Sequence, residues 1–235
     1  MTKVDILAFA AHPDDVELAA SGTILKHIKQ GKIVAIVDLT QGELGSRGNA
    51  EIRLQEAEKS SKILGISARE NLKLDDGFFE VNQENLLKVV QVIRKYQPEI
   101  ILCNSPSDRH PDHGRGSELV SRASFLSGLI KVETNQKAHR PKAVYKYIQD
   151  RYLKPDFVVD ITDEMDTKME SILAFSSQFY KEGDDKEPKT PISSKDFLKF
   201  VKARAREFGR NINTTYGEGF IVERPVGVED ITTLL

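Results

Sequence analysis

Apolar runs of strand length alternate with stretches of helical periodicity along the first half of the chain, and that alternation predicts a repeated βα unit. Val4 to Ala10 is short and apolar and is followed by a turn at Pro13, so it reads as a buried strand. Val16 to Gln30 reads as a helix that ends at Gly31, the position where a left-handed cap is common. Ile33 to Leu39 is a second run rich in valine and isoleucine. The Gly-rich stretch Thr40 to Asn49 then leads into a helix from about Glu51 to Leu64, stopped by Gly65. Asn71 to Leu74 forms a short third strand. Leu86, Val90 and Ile93 mark one face of a helix that ends before Pro98. Glu99 to Cys103 supplies a fourth strand, followed by a helix from about His113 to Leu129.

This order predicts an α/β fold: a Rossmann-like, doubly wound, mainly parallel sheet with helices on both faces. In the usual strand order, strands 1 and 4 lie side by side, and the crevice at their carboxyl ends is where such folds bind ligands. The last third is less regular. Ala143 to Ile148 and Phe157 to Ile161 read as strands, and a helix starts near Asp163. Lys181 to Ser194 reads as a long charged loop, and Phe197, Val201, Ala205 and Phe208 share one face of a final helix. A single domain over 1–235 is expected, with the part from about 140 packed against the sheet.

Composition narrows the function classes. Lysines and arginines are scattered over 235 residues of net charge −2, so no electrostatic footprint for nucleic acid is expected. No apolar run reaches the roughly 18 residues that suggest a membrane span, and the first residues run straight into a strand with no room for a signal peptide. A lone Cys103 at the end of an apolar run reads as a buried small hydrophobe, and a cytoplasmic location is the expectation.

The chemistry concentrates in one repeated pattern. His12-Pro13-Asp14-Asp15 follows strand 1, and His110-Pro111-Asp112-His113 follows strand 4. Proline fixes its own φ and biases the preceding histidine to an extended conformation, so each short turn can aim two side chains at one point. Imidazole and carboxylate together are the ligand set of catalytic zinc, which uses three protein ligands and keeps one position open. His12, Asp15, His110 and His113 are therefore one more than such a site needs, leaving one histidine for another task. Asp14 beside them is placed for general-base work on water, and Asp112 for orienting the spare histidine. His-Pro-Asp is also a good turn sequence, and acids suit helix N-termini without any metal. Two clusters at adjacent strand ends favour the metal reading over that one. Arg53 and Arg109 are candidates for substrate contact, whereas Arg47 reads as solvated surface charge.

These residues resemble the LmbE-like, or PIG-L-like, zinc deacetylases of N-acetylglucosamine conjugates. The motifs that carry the likeness are Ala11-His12-Pro13-Asp14-Asp15-Val16-Glu17 and Asp108-Arg109-His110-Pro111-Asp112-His113, supported by Thr40-Gln41-Gly42-Glu43 and Arg53-Leu54-Gln55-Glu56. The resemblance implies one Zn2+ per subunit, or another divalent metal, on His12, Asp15 and His113. It implies Asp14 as base, His110 with Asp112 as its partner at the tetrahedral intermediate, and Arg53 and Arg109 facing the substrate. The segments Pro155 to Ile161, Ser177-Gln178-Phe179 and Tyr216 to Phe220 are similar to the bacillithiol-biosynthesis branch, whose substrate is N-acetylglucosaminyl malate. Mycothiol-type or chitooligosaccharide substrates remain as alternatives, and a homo-oligomer, trimer or hexamer, is implied. Two other classes stay in competition: a non-haem iron(II) oxygenase, which uses the same two-histidine, one-carboxylate set, and a non-catalytic nucleotide-binding module. Asp14 speaks against the first, and the absence of a G-x-G-x-x-G turn after strand 1 against the second.

Overall fold

The structure, a computed structural model, describes residues 3–180 and 187–234. Thirteen regular elements follow in the order β1 (Ile6–Ala10), α1 (Asp15–Lys29), β2 (Val34–Thr40), α2 (Ala50–Leu64), β3 (Ala68–Leu74), α3 (Gln83–Tyr96), β4 (Ile100–Asn104), α4 (Pro111–Ser127), β5 (Ala143–Tyr147), β6 (Phe157–Asp160), α5 (Met165–Leu173), α6 (Phe197–Asn211) and β7 (Gly217–Val222). The strands form one sheet in the order β3-β2-β1-β4-β5-β7-β6. The five strands from β3 to β5 are parallel, with Ile6 opposite Val34 on one side and Ile100 on the other, while β7 runs antiparallel between β5 and β6. The expected adjacency of β1 and β4 is therefore present. No helix among the described residues is long and apolar enough to cross a membrane.

β1 shows why its sequence is continuously apolar. Leu7 and Phe9 pack with α3 and α4 on one face, through Val89, Ile93, Leu119 and Val120. Ile6, Ala8 and Ala10 pack with Val16, Ala20 and Ile24 of α1 on the other. A strand covered on both faces has no position left for a polar side chain. A further apolar layer joins α5 and α6 to the outside of α1 and α2, through Leu18, Ala57, Met169, Ile172 and Val201. The C-terminal part thus extends the sheet and also thickens one of its helical layers. Cys103 is fully buried and its thiol is pushed up to about 12 by burial, as a structural cysteine should be.

Two elements depart from the sequence reading. β3 begins at Ala68 rather than Asn71, because its first residues are polar: the Arg69 guanidinium is buried between Asp38, at 2.8 Å, and Glu17, at 2.6 Å. β7 has no strand-like pattern, since glycines alternate with Glu218 and Phe220. Those glycines are where α6 lies closest: a Cβ on Gly219 would stand 3.0 Å from the Phe208 ring, and one on Gly217 would stand 2.9 Å from the Gly209 nitrogen. In the segment 181–194, residues 181–186 fall outside the described part, and Pro191–Ser193 makes a short 3-10 turn.

Glu218 also anchors the middle of α1. Its carboxylate accepts the Gly22 and Thr23 backbone N–H groups at 2.9 and 2.7 Å, and its partner Lys168, from α5, donates to the Glu17 and Leu18 carbonyls at 2.9 and 3.0 Å. Lys168 and Glu218 lie 2.8 Å apart and are both buried. In a regular helix the Gly22 N–H and the Leu18 carbonyl bond to each other, and here the ion pair engages both groups. Lys168→Met should lower unfolding stability by about 3–5 kcal/mol, because it leaves the Glu218 charge buried with two backbone N–H donors but no counter-charge. Urea denaturation should show that Lys168→Met/Glu218→Gln recovers part of the loss.

Candidate active site and metal centre

The carboxyl ends of β1 and β4 bring the two His-Pro-Asp turns together. The Ala11 carbonyl accepts the Thr40 N–H at 3.1 Å and its hydroxyl at 2.9 Å, and the Ala11 N–H donates to Asn104 Oδ1 at 2.9 Å. These bonds to the ends of β2 and β4 fix the start of the first turn. In the second, His110 caps α4, its Nδ1 accepting the Asp112 N–H at 3.3 Å, and Pro111 occupies the first helical position, where a missing N–H costs nothing.

His12, His110 and His113 present ring nitrogens that all lie within 4.8 Å of one another. Asp15 lies among them, its carboxylate 3.6 Å from His12 Nδ1 and 3.2 Å from His113 Nε2. Three further donors hold that carboxylate: Gln149 Nε2 at 2.7 Å, Asn104 Nδ2 at 3.0 Å and the His12 N–H at 3.0 Å. The far nitrogens of the two histidines are occupied by other carboxylates. His12 Nε2 bonds Asp76 at 3.1 Å and Asp112 at 3.3 Å, and His113 Nδ1 bonds Asp108 at 2.9 Å. This leaves His12 Nδ1 and His113 Nε2 directed at Asp15. A divalent cation suits this set: both imidazoles are backed by carboxylates, which fixes the ring and raises its basicity. Charge points the same way. Asp14, Asp15, Asp76, Asp108 and Asp112 are all buried here, and the guanidinium groups that pair with them are Arg53 on Asp14 and Arg115 on Asp112. His12, Asp76 and Asp112 form a second group with ligand atoms within 4.8 Å.

The titrating groups carry the marks of this crowding. Burial opposes charge on both histidines. Even so, the Asp112, Asp15 and Asp76 hydrogen bonds raise His12 well above its ordinary value, and Asp15 and Asp108 bring His113 to about 9. His110 is pushed down, by burial and then by its two cationic neighbours. With its Nδ1 accepting a backbone N–H, neutral His110 carries its proton on Nε2, a donor for an oxyanion. Burial pushes Asp14 up to about 7 against the pull of Arg53.

Several sequence expectations need correction. The Asp112 carboxylate bonds His12, the Gly77 N–H at 2.8 Å and Arg115 at 3.0 Å rather than His110, because the turn gives His110 the Asp112 backbone instead. Arg53 is 5% exposed and donates to the Pro13 carbonyl and to Gln178 Oε1 at 3.0 Å, with Asp14 at 3.2 Å, so it braces the first turn. Arg47, expected in solvent, is buried where the segment after α5 folds over it and Gln178 donates to its carbonyl at 2.8 Å. Arg109 is exposed at the rim and pairs with Asp150. Sequence reasoning missed Asp76, Asn104, Asp108 and Gln149. Asp108 sits inside a motif already singled out, whereas Asp76 lies in an Asp-Asp-Gly run that reads only as a turn.

Asp14 has φ 120° and ψ −20°, a backbone conformation that side chains other than glycine rarely adopt. Such strain costs about 1–3 kcal/mol and persists where the surroundings overdetermine it, here through Arg53 on Pro13 and the Asp15 bonds. Asp14→Gly should therefore be more stable than Asp14→Ala by about 1–2 kcal/mol in urea denaturation, although both lose the carboxylate.

The known proteins that this chain resembles fit the same frame. Residues 7–124 match the family described as PIG-L, GlcNAc-PI de-N-acetylase. Diacetylchitobiose deacetylase of Thermococcus kodakarensis is 31% identical over 189 residues, covering 74% of this chain and 70% of that one. A probable N-acetyl-alpha-D-glucosaminyl L-malate deacetylase 2 of Bacillus anthracis is 26% identical over 188 residues, covering 74% and 81%. The 4-oxalmesaconate hydratase of Pseudomonas putida is 26% identical over 189 residues, covering 73% of each. Among solved structures, a conserved protein of Thermus thermophilus superposes with a TM-score of 0.87 at 33% identity, over 96% of this chain and 97% of that one. With both His-Pro-Asp turns inside the matched span, the chain belongs to the PIG-L family.

Proposed function

We propose that the protein hydrolyses the acetamide of an N-acetylglucosamine conjugate, releasing acetate and a free amine, and that the conjugate carries a malate aglycone. The observation that supports the reaction is the placement of buried Asp14, raised to about 7, beside the Asp15, His12 and His113 set. His12 Nδ1, Asp15 and His113 Nε2 would hold a divalent cation, with zinc the expected one. When bound, such an ion supplies Lewis acidity toward the amide carbonyl and toward water.

The chain's own groups do the rest. Asp14 takes a proton from the attacking water as its oxygen bonds to the carbonyl carbon. His110 donates its Nε2–H to the oxygen that gains negative charge. The proton on Asp14 then passes to the amine nitrogen as the C–N bond breaks, returning the carboxylate to its starting state. Asp76 and Asp112 keep His12 turned toward Asp15, and Asp108 does the same for His113. Arg109 supports the malate reading: Asp150 engages its Nε, and its terminal nitrogens suit a planar carboxylate at the rim.

The test is acetate release from N-acetylglucosaminyl malate, diacetylchitobiose and free N-acetylglucosamine. The malate conjugate should be turned over best, a chelator should abolish activity and zinc should restore it. Asp14→Asn should keep the metal and lose about 10²–10⁴ in kcat. Arg109→Ala should raise KM for the malate conjugate by about ten- to a hundredfold more than for the free sugar. Equal losses on both substrates would remove the malate assignment. A hydratase reading has the Pseudomonas putida relative in its favour; loss of absorbance from an unsaturated 4-oxalmesaconate substrate, with no acetate released from any glycoside, would replace the deacetylase reading. Asp76→Asn should weaken zinc binding by about 10–100-fold with little change in fold, measured by competition with a chromophoric chelator.

A further inference from the structure

The segment 149–151, just after β5, reaches both sides of the metal centre. Gln149 Nε2 donates to Asp15 at 2.7 Å. The Asp150 and Arg151 N–H groups donate to the Asp108 carboxylate at 3.3 and 2.9 Å, and that carboxylate bonds His113 Nδ1 at 2.9 Å. A further donor to Asp108, the Arg109 N–H at 2.7 Å, comes from its own turn. The segment lies outside helix and strand, so no regular ladder sets the direction of these N–H groups.

What orients them comes from α6. Arg204 donates from one guanidinium nitrogen to the Asp150 carbonyl at 3.0 Å, and the same nitrogen lies 3.8 Å from the Asp150 carboxylate. One turn later on that helix, Phe208 stacks on Tyr152 with ring centroids 6.0 Å apart. The Asp150 carbonyl and the Arg151 N–H belong to a single peptide unit, which is planar. Its oxygen is held by Arg204 and its N–H by Asp108, so the plane cannot turn without disturbing both bonds. A cationic donor on the carbonyl also polarises the unit and strengthens its N–H toward Asp108.

We propose that Arg204 is a positioning residue for the metal centre: it orients the 150–151 peptide, and through it Asp108 and the His113 ring. This inference rests on the divalent cation of the preceding reading. Two other roles for Arg204 predict different outcomes. An arginine that only supports the fold would leave affinity for the cation unchanged. An arginine acting by charge alone would repel the cation, so its removal would tighten binding. Loss of the positioning contact weakens binding instead.

The experiment measures zinc affinity of the metal-free full chain by competition with a chromophoric chelator. Arg204→Met keeps an unbranched stem and loses the donor. It should weaken binding about three- to tenfold, less than the roughly 10–100-fold typical of a direct partner of a ligating histidine. Arg204→Lys, which retains one donor, should fall between Arg204→Met and the unmodified chain. Lys202→Met, exposed on the same helix, should change nothing. In an Asp108→Ala chain, where the link is already cut, Arg204→Met should have no further effect. Hydrogen exchange of the Arg151 amide in the metal-free protein should rise about tenfold in Arg204→Met, while amides of β1 and β4 keep their protection. The proposal is overturned if Arg204→Met binds zinc as tightly as the unmodified chain or more tightly, or if its loss persists beside Asp108→Ala. Should Asp108→Ala not fold, the exchange of the Arg151 amide decides, and an unchanged rate overturns the proposal. Absence of zinc binding by the unmodified chain would remove the metal reading and this inference with it, whereas zinc binding indifferent to Arg204 would remove this inference alone.

Discussion

The carboxylate of Asp15 is the point on which the catalytic end of the molecule depends. It sits at the first turn of α1 and is held by Asn104 at the end of β4 and by Gln149 beyond β5. It faces His12 from its own turn and His113 from α4. One buried anion thus ties the ends of β1, β4 and β5 to two helices. A buried carboxylate is tolerable only with such a set of donors. The imidazoles, the amides and the carboxylates behind the imidazoles follow from that requirement.

Asp14 shows the cost of this arrangement. To direct Asp15 inward and Asp14 separately, the turn adopts a φ of 120° at Asp14. Arg53 braces the turn from α2, and Gln178, after α5, braces Arg53. Arg53, a candidate for substrate contact by sequence, here pairs with Asp14 and with the Pro13 carbonyl. Its charge opposes the upward push of burial on Asp14, so the same contact tunes the carboxyl and locates it. The C-terminal third thus reaches the first turn through Gln178 and Arg53.

A second buried anion, Glu218, plays a comparable part away from the cleft. With Lys168 it binds backbone groups of α1 and joins that helix to α5 and β7. α1 thus carries the buried Asp15 carboxylate at its first turn and meets a buried ion pair at its middle. The helix is positioned by polar contacts at two levels and by apolar packing on the sheet between them.

The sequence alone determined the parallel core, the neighbours β1 and β4 and the two His-Pro-Asp turns. Each of these rests on local signals: apolar runs of strand length, helix-stopping glycines at 31 and 65, and proline within the turns. Local signals end where a side chain is justified by a distant partner. Arg69 makes the start of β3 look polar because Glu17 and Asp38, from other elements, neutralise it. Gly217 and Gly219 hide β7 because α6 leaves no room for side chains there. Asp76 lies 64 positions from His12, and only the packing of the β3–α3 loop against the β1 turn makes it that histidine's partner. The same holds for Asp112, which serves His12 rather than its neighbour His110, and for Arg47, covered by a segment far along the chain. Spacing in sequence decides which groups a turn offers, but burial and long-range pairing decide which of them meet.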